Sequence, residues 1–68
     1  MGLFGGRWVV MRTEGGSRAD QIDRLYALFK SEGLKTKITE EGALRRIHVK
    51  KKDTDRAKEL MDAFDQES

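Results

Sequence analysis

Four apolar residues, Ile22, Leu25, Tyr26 and Phe29, recur at spacings of three and four, and the same spacing returns at Ala57, Leu60, Met61 and Phe64. That is the period of a helix with one apolar stripe and one polar face. Two helices with one stripe each call for a shared layer on which both can be buried. The stretch between them supplies it. Lys35 to Glu40 alternates, with Thr36 and Ile38 on one side and Lys35, Lys37 and Thr39 on the other. Leu44 to Lys51 alternates again, Ile47 and Val49 opposing Leu44, Arg46, His48 and Lys50. A period of two marks half-buried strands, and Glu41-Gly42 between them is a hairpin turn signal.

One more strand precedes the first helix. Arg7 to Thr13 is β-branched and aromatic, and Glu14-Gly15-Gly16 closes it as a turn. Ser17 then offers a helix N-cap with Asp20 in the capping-box position. Gly33 is placed to end the helix in the left-handed conformation, with Leu34 packing back on the last turn. Asp53 or Thr54 caps the second helix, and Asp55 sits near its positive end. The order is strand, helix, strand, strand, helix. A right-handed crossover returns the second strand parallel to the first, and the hairpin partner fits between them, giving order 1-3-2. The predicted fold is α+β, a two-layer βαββα sandwich. It is the ferredoxin-like βαββαβ arrangement lacking the last strand, with a three-stranded antiparallel or mixed sheet and both helices on one face. Residues 1–6 read as a flexible Gly-rich segment, 7–66 as a single domain and 67–68 as a tail.

The core of such a domain is thin. Leu, Ile, Val and Phe supply 15 of the 68 residues, while 38% are charged. A chain of this size buries only about 60% of the surface its unfolded form exposes. A large enzyme with a deep cleft is excluded. With no Cys, and with His48 as the one histidine, the ligands of a zinc site are missing, and no metal or cofactor is expected. No apolar run approaches the ~20 residues of a membrane helix. Met1 to Gly6 lacks the basic and apolar regions of a signal peptide, and Gly6 stands where a myristoylation pattern requires Ser or Thr. A cytoplasmic protein is expected.

The formal net charge of +2 conceals an uneven distribution. Residues 35–52 carry seven basic side chains against Glu40 and Glu41, and residues 53–68 carry two basic against six acidic, giving +5 followed by −4. With Ile38, Ile47 and Val49 facing the helices, Lys35, Lys37, Arg46, His48 and Lys50 share the open face of the sheet. Turning Val9 and Met11 inward adds Trp8, Val10 and Arg12 to that face, although turning Trp8 and Val10 inward fits the alternation almost as well. Cations around an aromatic are the recipe for single-stranded nucleic acid, and equally for a solvated face. The aromatic run of RNA-recognition sheets is absent from Leu44–Lys51. The Gly15-Gly16-Ser17 turn ahead of a helix suggests anion binding, but it has neither Walker nor dinucleotide spacing and reads as a turn with a cap. His48 has no carboxylate or nucleophile at a recognisable spacing, so no enzyme is expected.

Association through an edge is the better-motivated idea. The first strand lies where a fourth would normally pair. A free edge of Trp8, Val9, Val10 and Met11 invites strand addition by a partner or a second copy, unless the Gly-rich N-terminus or the second helix covers it.

Trp8-Val9-Val10-Met11-Arg12-Thr13, the helix ending Leu28-Phe29-Lys30-Ser31-Glu32-Gly33-Leu34, and Val49, Asp53 and Ala57-Lys58-Glu59-Leu60-Met61 together resemble a small bacterial family described as signal transducing proteins, a domain of unknown function. The resemblance covers about residues 7–64, with Leu34 for the family's Ile and Met61 for its last Leu. It implies a fold related to ferredoxin-like, PII-like regulators and a role in signalling or protein interaction. It brings no catalytic or ligand residues, and the long nucleotide-binding loop of true PII proteins is absent between the second and third strands. The expectation is a cytoplasmic bacterial regulatory or protein-interaction module of unknown partner, with self-association through the first strand or the open face. The alternative is a nucleic-acid-binding module using Trp8, Lys35, Lys37, Arg46, His48 and Lys50.

Overall fold

The computed structural model describes residues 7–67, so the flexible segment expected at residues 1–6 lies outside the described residues. The elements are β1 (Trp8–Gly15), α1 (Ala19–Ser31), β2 (Thr36–Glu41), β3 (Leu44–Lys50) and α2 (Thr54–Glu67). The sheet order is β1-β3-β2, and both pairings are antiparallel. β1 and β2 therefore run parallel to each other, as a crossover through α1 requires. This is the expected α+β arrangement of three strands and two helices. α2 continues through Glu67, where a tail was expected.

Both apolar stripes meet on one face of the sheet. Ile22, Leu25 and Phe29 of α1 and Ala57 and Leu60 of α2 are buried against Ile47 and Val49 of β3. Ile38, Tyr26, Met61 and Phe64 are partly buried at the margins of this core. Thr36 also turns inward, and its buried hydroxyl donates to the Leu34 carbonyl at 3.1 Å, which removes the penalty of an unpaired buried donor. α1 ends as its sequence requires. Gly33 has φ +84°, Leu34 N–H donates to the Phe29 carbonyl at 3.0 Å and Gly33 N–H to the Lys30 carbonyl at 3.0 Å. That bonding pattern is the Schellman cap, and it brings Leu34 down onto the core. Gly42, at φ +61°, opens the two-residue loop between β2 and β3.

Three expectations at the N-terminal end of α1 and along β1 are corrected. Ser17 makes no capping hydrogen bond. The chain enters α1 through a 3-10 turn, Gly16–Arg18, whose last residue occupies the N-cap position. Glu14 and Gly15 belong to β1, since Arg45 and Leu44 of β3 extend far enough to pair with them. β1 also carries an irregularity. Val10 pairs with His48 and Arg12 with Ile47, leaving Met11 as the extra residue of a β-bulge. Two residues of β1 then oppose one of β3, and Arg12 shares a register position with the inward-facing Ile47. Arg12 therefore lies on the helix side, where its guanidinium meets Asp65 of α2, and not on the open face.

Candidate binding site along the edge of β1

β3 is the middle strand, so among the described residues β1 uses only one of its two edges in the sheet. The direction of its backbone groups follows from one bond. Lys51 N–H donates to the Arg7 carbonyl at 2.8 Å, which makes Arg7 and Lys51 a hydrogen-bonded pair. In an antiparallel ladder such pairs alternate. Val9 is then bonded to Val49, while the N–H and C=O groups of Trp8 and Val10 point away from the sheet, along the free edge.

Beside that edge runs a groove of about 380 Å3 between β1 and α2. Val9, Val10, Met11 and Met61 give it an apolar lining, and Lys51, Thr54 and Lys58 complete its wall. The Thr54 hydroxyl donates to the Lys51 carbonyl at 3.0 Å, so its proton is engaged locally. Lys51 and Lys58 are exposed and have no acidic partner among the described residues. Beyond Met11, Arg12 reaches both carboxylate oxygens of Asp65, at 3.0 and 2.7 Å. This bidentate pair holds the Asp65 carboxyl below the usual aspartate range, chiefly through the hydrogen bond itself. Of the four edge residues expected from sequence, Val9, Val10 and Met11 line the groove, and Trp8 turns its ring elsewhere. The α2 side of the groove was not anticipated. Its one trace in the sequence is the spacing of Thr54, Lys58 and Met61, a second row alongside the buried stripe.

The open face gathers the other expected residues. Trp8, Val10 and Leu44, at 37%, 47% and 41% exposure, are the most accessible large apolar side chains among the described residues, and the pairing register places all three on this face. The Trp8 ring lies under Lys50 and Lys37, whose ammonium nitrogens are 4.3 and 4.7 Å from its centroid. Because Lys37 is on β2 and Trp8 on β1, the indole extends across β3. Arg46 is bound to Glu41 at 3.0 Å, and His48 Nε2 lies 2.8 Å from the Thr39 hydroxyl. Burial, followed by the positive Lys37 and Arg46, pushes His48 below its ordinary value. Lys35 lies just outside β2 and is exposed. Among the described residues no cluster of acidic and histidine side chains is arranged to hold a metal ion, and no helix is long and apolar enough to cross a membrane. Comparison with protein-family models, curated proteins and solved structures finds no match.

Proposed function

We propose that this chain is a non-enzymatic regulatory or protein-interaction module that takes a partner strand along β1. One observation carries the reading: the outward N–H and C=O groups of Trp8 and Val10 run beside an apolar groove. An added strand satisfies those backbone groups and buries alternate side chains in the groove, the two elements of recognition by β-augmentation. The resemblance of the sequence to bacterial signal transducing proteins supports a regulatory role in the bacterial cytoplasm.

A second reading, single-stranded nucleic acid on the open face, is favoured by the meeting of Trp8, Lys37, Arg46, His48 and Lys50 on one surface. Three details weaken it. A stacking base competes with the ammonium groups of Lys37 and Lys50 over the indole. Arg46 is held by Glu41. His48, with its lowered pKa, adds little charge at neutral pH.

A 15N NMR spectrum separates the readings. Recorded with end-blocked extended peptides, it should show shifts at residues 8–12. Shifts confined to 37 and 46–50, appearing on addition of a short oligonucleotide and abolished by salt, would replace the edge reading with the second one.

A further inference from the structure

We infer that the groove beside β1 selects an extended segment in which a short aliphatic stretch is flanked by acidic residues. This inference rests on the strand-addition reading above and adds the chemistry of the partner.

The charge of the groove is one-sided. Six arginines of this domain are matched by carboxylates, among them Arg12 by Asp65, Arg45 by Asp23 and Glu40, and Arg56 by Glu32 and Glu59, while Arg7 is not among them. The two charged groups that line the groove, Lys51 and Lys58, are both basic, and neither has such a match among the described residues. An incoming carboxylate supplies it. The lining between them is Val9, Met11 and Met61, and two flexible thioethers adapt to aliphatic side chains of differing shape. The length is limited as well. Regular pairing along the free edge stops at the Met11 bulge, and the Arg12–Asp65 bridge crosses from β1 to α2 just beyond it. The segment in contact is therefore short, on the order of five residues at the rise of a strand.

The same charges argue against a second copy as the occupant. Two β1 edges brought together would place four lysines in the joined groove, with no lining carboxylate to offset them. Like charges so placed oppose association.

The test titrates the protein with two end-blocked peptides, three central valines flanked on each side by two aspartates or by two lysines. Binding is followed by calorimetry and by the amide shifts of residues 8–12. The acidic peptide is expected to bind and to weaken as salt is raised, while the basic one fails to bind. Lys51→Glu combined with Lys58→Glu should weaken the acidic peptide about tenfold or more and admit the basic one. Both lysines are exposed, so the fold is retained. Val10→Pro, which removes an outward N–H, should abolish binding of either. Equal binding of both peptides, lost in Val10→Pro, would overturn the acidic preference and leave strand addition standing. If neither peptide moves residues 8–12, strand addition itself is refuted. Shifts that grow with protein concentration alone would replace the acidic segment with a second copy.

Discussion

Arg12 and Asp65 are joined by two hydrogen bonds across the domain, from just past the bulge of β1 to near the C-terminal end of α2. Arg12 reaches the helix side because Met11 inserts an extra residue. In a regular strand Arg12 would alternate onto the open face, and α2 would lose this tie. The pair has a pH signature. Its carboxylate is held below the ordinary aspartate range, so the folded state keeps Asp65 charged at pH values where the unfolded chain has begun to bind a proton. The pair's contribution is complete well above about pH 4 and is lost as pH falls through the folded value. Arg12→Ala should raise the Asp65 carboxyl midpoint in an NMR titration. It should also lower the Tm at pH 7 by more than at pH 2.

His48 has a dependence of the same sign in a higher pH window. Its folded pKa is lowered, mainly by burial and then by Lys37 and Arg46. Between that value and about 6.5 the unfolded chain binds the proton more readily, so stability falls as pH drops through this window. The ring should titrate below the ordinary histidine value. Lys37→Gln should move the midpoint upward, and an unchanged midpoint would remove Lys37 from the list of causes.

Neighbouring prolines in β1 should behave differently. Val9 bonds to β3 through its backbone, so Val9→Pro removes a ladder hydrogen bond within the sheet. Val10 directs its N–H outward, and Val10→Pro leaves the ladder whole. Thermal unfolding followed by circular dichroism should show Val10→Pro folded, with a far smaller drop in Tm than Val9→Pro. Equal losses would contradict the assignment of the free edge.

Phe29 is fully buried at the centre of the helix–sheet interface. Phe29→Ala should cost about 3–5 kcal/mol. A domain of this length has about 3–10 kcal/mol in total. The variant should lose about a third or more of that stability, seen as a lower Tm and a urea midpoint shifted to lower concentration.

Gly33 occupies φ +84°, which side-chain-bearing residues adopt at a cost of about 1–2 kcal/mol. Nothing crowds its missing Cβ, so Gly33→Ala should lose about that amount and no more. A larger loss in chemical denaturation would point to a packing role.

The two stripes, the hairpin and the Schellman cap were all legible because each is written in residues near one another in sequence. Ile22 to Phe29 and Ala57 to Phe64 reveal their period without reference to anything else. Gly33-Leu34 specifies its own geometry. The bulge was hidden because Val9-Val10-Met11-Arg12 is a plausible alternation on its own. Met11 becomes an extra residue only through the register with Ile47 and His48, more than thirty positions away. Glu14 and Gly15 read as a turn for the same reason, since their strand character comes from Arg45 and Leu44. The edge of β1 could be anticipated from topology, whereas the lysines beside it depend on how α2 lies against β1.

The position of β3 has a consequence for the order of assembly. Among the described residues it is the last strand and the only bonding partner of the other two. While a ribosome is still adding residues up to the hairpin loop, β1 and β2 have nothing to bond with, and α1 has no finished surface on which to lay its stripe. Synthesis proceeds from the N-terminus, so emergence of Leu44–Lys50 completes both ladders at once. Until then the nascent chain carries an unprotected Trp-Val-Val-Met strand, a segment open to premature pairing with neighbouring chains.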